Sequence, residues 1–227
     1  MRLKGYVWKP TGTLARDPQL DVVHGVILHV DGGNATSLYK WFDGGSNGIE
    51  SHAFLPKSAA NDKEQFRDTR READANYKAN SWIGPDKKRH GFLSLETQGL
   101  GRGTWNKYQI EGIKDFILQT HEEHDFPLRK CPGPRGHGVG YHILYPDWTN
   151  VRGKICPGPD RIKQFNQIIV PWMAEESKRR KQNWYVTKPG DTAPSVADHF
   201  GIDVWQLWRW NPGVRLPFPV GTRLRVR

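Results

Sequence analysis

The chain has 227 residues, 36% hydrophobic and 11% aromatic with ten Trp, enough for one mid-sized domain and one small one and too apolar for a disordered chain. Its two cysteines, Cys131 and Cys156, are too few to staple a fold of this size, so the core must be hydrophobic. A formal net charge of +10 calls for a polyanionic partner, either nucleic acid or an anionic cell wall.

The N-terminal MRLKGYVWKP has no apolar core, and no stretch reaches the length of a membrane span. The expectation is synthesis in the cytosol without a cleavable export signal and without a membrane anchor. Val22–Val30 is rich in β-branched residues and stops at Asp31-Gly32-Gly33, which predicts a strand ending near His29. Phe92, Leu93 and Leu95 make a second short apolar run, stopped by Gly99. Ile110, Ile113 and Ile117 recur at helical spacing, as do Ile162, Phe165, Ile169 and Trp172, with Pro159 suited to the first turn of the latter helix. Strands interleaved with helices predict an α/β domain. The polar, charged stretch AEESKRRKQN at 174–183 reads as a linker or a helix end running into one, which separates a large domain, 1–173, from a small one, 183–227.

His29, His142 and Cys156 carry the donor chemistry that zinc prefers, and three protein ligands leave a fourth position for water. Spacing alone also fits a satisfied strand histidine, a loop histidine and a buried thiol. Cys131, in Cys131-Pro132-Gly133-Pro134, competes with Cys156, and His137 competes with His142.

Four segments, in order over roughly residues 20–172, carry a family resemblance. They are the strand VILHV ending past His29, Ser51-His52-Ala53-Phe54, Leu93-Ser94-Leu95-Glu96-Thr97-Gln98-Gly99, and Gly140-Tyr141-His142 followed by Lys154-Ile155-Cys156-Pro157-Gly158. The set resembles the type 2 N-acetylmuramoyl-L-alanine amidases, which include phage endolysins and are related to peptidoglycan recognition proteins. The resemblance implies a mixed central sheet flanked by helices, Zn2+ held by His29, His142 and Cys156, Glu96 as general base and acid, and Lys154 as stabiliser of the oxyanion. Ser51 stands where certain phage amidases carry a catalytic tyrosine, which shifts the load to Glu96. Ile143–Gly153 lengthens the step from His142 to Cys156, as in endolysins of phages that infect actinobacteria. Cys131 lacks a lysine two positions earlier, where Arg129 stands, and ranks second to Cys156. His52 is expected to line the sheet, and His24, His90, His121, His124 and His199 to be surface or structural.

The C-terminal segment reads as strand, helix, helix, strand. Trp184–Thr192 contains a Gly190-Asp191-Thr192 turn, Ser195–Phe200 and Asp203–Trp210 are helical, and Val220–Val226 closes after Asn211-Pro212. Residues 184–227 resemble a LysM domain over almost their whole length. The resemblance implies binding to glycans containing N-acetylglucosamine, peptidoglycan above all, with Asp191, Thr192, Asn211 and Pro212 at the groove.

Together these readings give a monomeric wall-lytic amidase, an endolysin made in a host cytoplasm that acts on bacterial peptidoglycan. A peptidoglycan-binding protein without catalysis is the alternative. Nucleic acid is not expected as a partner, because the run Lys178-Arg179-Arg180-Lys181 has no accompanying recognition motif.

Overall fold

In the computed structural model the chain divides into two units, Met1–Met173 and Ala174–Arg227, and residues 1–11, 18–43, 50–214 and 216–226 are described, apart from the side chains of Asp74, Lys181 and Gln182. The first unit runs β1 (Val7–Trp8), β2 (Val22–Val30), α1 (Tyr39–Asp43), β3 (Ala53–Leu55), β4 (Glu64–Gln65), a 3-10 segment (Asp74–Ala79), β5 (Trp82–Ile83), β6 (Arg89–Thr97), α2 (Lys107–His124) and β7 (Gly138–Tyr141). A 3-10 turn (Pro146–Trp148), α3 (Pro159–Gln164), a π-helical turn (Phe165–Ile169) and α4 (Val170–Gln182) follow.

The sheet is mixed, with strand order β1-β4-β3-β6-β2-β7 and β5 added to β6. The strands that matter most, β3, β6, β2 and β7, are parallel to one another. Parallel strands flanked on both sides read as near-continuous apolar runs, which is why β2 was legible. Alternation then sorts its side chains. Val26 and Leu28 join Leu93, Leu95, Val139 and Tyr141 on one face, packed against Ile113, Phe116 and Ile117 of α2 and against Phe165, Ile169 and Met173. Ile27 and Phe92 point to the other face, against Trp148, Ala79 and Cys131. His29 continues the Ile27 face.

β2 and β7 approach so closely that a Cβ on Gly25 would stand 1.7 Å from the Gly138 carbonyl oxygen, and both glycines have positive φ. The pairing of β2 with β6 shifts register here, between Val23 and Val26. Only glycine fits such an approach.

α2 begins at a capping box, with Asn106 accepting from the Gln109 backbone N–H and Gln109 reaching back. The stretch Ala174–Gln182 takes the helical alternative of the two expected for it. It is built of helix formers, and Glu176 pairs with Arg179 and Arg180 one turn on.

The second unit comprises the rest of α4, β8 (Trp184–Val186), α5 (Ala193–Phe200), α6 (Val204–Trp210) and β9 (Arg223–Arg225), with β8 and β9 antiparallel. Its core is Ala193, Val196, Ala197, Leu207, Phe218, Leu224 and Val226. Among the described residues no helix is long and apolar enough to cross a membrane.

Phe116 is wholly buried between α2 and the sheet, so Phe116→Ala should cost about 3–5 kcal/mol. Urea unfolding checks this; a loss below about 1 kcal/mol would mean that α2 is not seated as described.

Candidate metal centre

Parallel pairing sets where the polar side chains end up. In an open α/β sheet, ligands gather at the carboxyl ends of the strands. His29 lies one residue from the end of β2 and is the register partner of Glu96, one residue from the end of β6. On the other side Leu28 pairs with Tyr141, the last residue of β7, and the Leu28 carbonyl accepts from the His142 N–H at 3.2 Å. Three strands therefore deliver His29, Glu96 and His142 to one edge. Cys156 arrives from the loop before α3, its Sγ accepting from the Val30 N–H at 3.2 Å.

The donor atoms of His29, His142 and Cys156 lie within 4.8 Å of one another, the one such group among the described residues, and it could hold a metal ion. All three are buried. The His29 and His142 rings are 4.4 Å apart, Cys156 Sγ is 4.0 Å from His29 Nδ1, and Glu96 Oε1 is 3.7 Å from the same nitrogen. His142 Nδ1 and Glu96 Oε2 are buried without a hydrogen-bond partner. Buried polar atoms are nearly always paired, and these two are oriented as donors to a cation would be. Two imidazoles and a sulfur make a donor set suited to zinc.

Burial dominates the electrostatics. It holds His29 well below the ordinary histidine value, reinforced by His142 and Lys154. It lowers His142 to about 4, again with Lys154. It pushes the Cys156 thiol up to about 12 and the Glu96 carboxyl up to about 8, aided by Glu96 and Asp31 respectively. Each group is thereby held in its uncharged form. Lys154 acts on all four, and with Glu96 it lines a cleft of about 570 Å³ bounded by Val30, Asp31, Leu38 and Trp41.

The competing candidates lie elsewhere. Cys131 donates to the Gly133 carbonyl and is held in the Trp148 cluster. His137 stacks on His24 at 3.8 Å, near His90. Ser51 donates to the Ala53 carbonyl. His52 is wholly buried, with Nε2 donating to the Arg71 carbonyl and Nδ1 accepting from the Ser94 N–H. Asn76, from the 3-10 segment, escaped sequence reasoning: its Oδ1 lies 2.7 Å from His29 Nε2. A lone Asn in a polar stretch gives no signal of that contact.

In the second unit, Thr192 caps α5 through Ser195, and Asp191 accepts from the Tyr185 hydroxyl and the Lys188 N–H. Asn211 is 7% exposed, its amide donating to the Leu207 and Arg225 carbonyls while its oxygen accepts from the Arg225 N–H. Both Asn211 donor hydrogens are therefore spent within the module, one on α6 itself and one on joining α6 to β9. Thr192 and Pro212 are exposed.

Residues 185–227 match the LysM domain family, so the chain carries a LysM domain at its C-terminus. A search of curated proteins gave no match. Solved structures similar to the chain include hydrolase AmiA of Staphylococcus aureus, in complex with its ligand, at 10% identity over 68% of this chain and 74% of that one, TM-score 0.48. N-acetylmuramoyl-L-alanine amidase LysC from Clostridium intestinale URNW is 13% identical over 73% and 94%, TM-score 0.43. PlyL is 15% identical over 78% and 97%, TM-score 0.49.

His24, His52, His124 and His142 are each held at about 4. A depressed folded value means that the unfolded chain takes up the proton first, so stability is intact above about pH 6.5 and falls as pH drops toward 4. Glu96, raised to about 8, works in the opposite sense but is outnumbered. Buried His52 alone should contribute on the order of 3 kcal/mol. Urea midpoints in chelator should fall between pH 6.5 and 4.5, and a flat profile there would contradict the neutral, buried state of these rings.

Proposed function

We propose that the chain is a zinc-dependent N-acetylmuramoyl-L-alanine amidase that cuts peptidoglycan, an endolysin targeted to the wall by its LysM domain. The observation that carries this reading is the convergence of His29, His142 and Cys156 beside a carboxylate whose outer oxygen has no partner. The family resemblance of the same residues supports it.

His29, His142 and Cys156 would hold the zinc. A zinc ion there would supply Lewis acidity to polarise the scissile carbonyl and acidify a water, and positive charge to return Glu96 toward ionisation. Glu96 then accepts the proton of the attacking water and passes it to the departing nitrogen of L-alanine, which balances the cleavage. Lys154, on the same cleft wall, offsets the charge that develops on the carbonyl oxygen. The cleft floor, from Val30 to Phe42, receives the substrate. The LysM domain raises the local concentration of enzyme on its polymer, with Thr192 and Pro212 as glycan-facing positions, and the net charge of +10 draws the protein to anionic wall polymers.

Mass analysis of digested peptidoglycan should show free L-alanine amino termini and no new reducing ends; new reducing ends would make the protein a glycosidase instead. Cys156→Ser should lose stoichiometric zinc and lysis together, and retention of both would reject the ligand set. Glu96→Gln should keep zinc and lose about 10²–10⁴-fold in turnover; near-normal turnover would displace Glu96. Absence of any cleavage by the zinc-loaded protein, with wall binding intact, would leave a binding protein.

Deleting 183–227 should weaken binding to intact wall more than cleavage of soluble fragments, as read by sedimentation with purified wall. Equal sedimentation with and without the segment would remove its targeting role.

A further inference from the structure

We infer that Asn76 is a positioning residue that selects which ring nitrogen of His29 faces the metal cluster. The inference rests on the zinc reading for its consequence, and on hydrogen-bond chemistry for its substance.

The orientation of the Asn76 amide follows from its other partner. Asn76 Nδ2 donates to the Phe92 carbonyl at 3.1 Å. The reversed amide would set two acceptor oxygens against each other, so Oδ1 is the atom that faces His29 Nε2 at 2.7 Å. An amide oxygen only accepts, and His29 Nε2 therefore carries the hydrogen. A neutral imidazole has one N–H, which leaves the lone pair on Nδ1. That nitrogen is the one facing Cys156 Sγ and Glu96 Oε1.

Asn76 is built to hold this position. It is 0% exposed, and its backbone N–H is bound by Asn80 Oδ1 at 2.6 Å. The next residue, Tyr77, has φ 52° and ψ −121°, a break in the 3-10 segment that non-glycine residues rarely adopt. A histidine that could flip its proton to Nδ1 would present a hydrogen where a lone pair is required. Outer partners of this kind commonly contribute 10–100-fold to metal affinity. The tautomer belongs to the fold itself and exists before any ion arrives.

The test measures zinc affinity by chelator competition for the full chain, Asn76→Ala and Asn76→Asp, with thermal melts of the zinc-free proteins beside them. Asn76→Ala should bind zinc about 10–100-fold more weakly, and Asn76→Asp should recover part of the loss as its buried acid form, one oxygen accepting from Nε2–H and the hydroxyl donating to the Phe92 carbonyl in place of Nδ2. Nitrogen-15 spectra of the zinc-free wild type should show His29 protonated at Nε2. Zinc affinity of Asn76→Ala within twofold of wild type, or an Nδ1–H tautomer in the wild type, overturns the inference. If Asn76→Ala does not fold, the wild-type tautomer and the Asn76→Asp affinity still decide. Failure of the wild type to bind zinc at all, with the Nε2–H tautomer present, would sink the zinc reading and leave the positioning of His29 standing.

Discussion

Desolvation of four polar side chains at one edge of a parallel sheet is the constraint on which the rest of the large unit depends. His29, His142, Cys156 and Glu96 are buried together, and burial drives each toward its neutral form. Neutral groups at these distances repel little. They also gain little from one another, as the unpartnered His142 Nδ1 and Glu96 Oε2 show. A single divalent cation would reverse that balance, because a thiolate, a carboxylate and two lone pairs all favour it. The donor chemistry of the cluster therefore fits such an ion.

Holding such a cluster requires loops that do not drift, and the surrounding hydrogen bonds supply this. Thr97 donates from its hydroxyl to the His29 carbonyl and accepts from the Trp105 indole. Asp31 accepts from the Gly99 and Ala35 N–H groups, tying the ends of β2 and β6 together. Arg161 is 1% exposed and reaches from α3 to the Leu100 and Pro157 carbonyls. It therefore braces the loop after β6 against the loop that carries Cys156. A guanidinium has five donors in a rigid fork, so one buried arginine can lock two loops where a lysine would hold one.

The parts of this arrangement that the sequence made legible share a local signal. β2 and β6 announced themselves through β-branched and apolar runs, and α2 through Ile110, Ile113 and Ile117. The order of the motifs around His29, Glu96, His142 and Cys156 pointed to one site, although only three-dimensional pairing could show that His29 and Glu96 are register partners. What stayed hidden depends on contacts between distant segments. The two-residue strands β1, β4 and β5 have no periodicity to detect. Asn76 meets His29 across 47 positions of chain. Asn211 also closes its own module by joining α6 to β9, a contact hidden because a turn asparagine offers the same pattern whether it faces sugar or backbone. Helical continuation through Ala174–Gln182 was obscured because a charged face reads equally as a solvated helix or an irregular connection.

The second unit must hold its fold with little apolar material. A core of seven buried residues is small for an independent module, and polar locks make up part of the difference. Asn211 joins α6 to β9, Asp191 joins β8 to the turn after it, and Thr187 joins the Pro219–Thr222 turn. Two of these locks join segments far apart in sequence, Thr187 to Pro219 across 32 positions and Asn211 to Arg225 across 14, so the module closes on itself without a large apolar core.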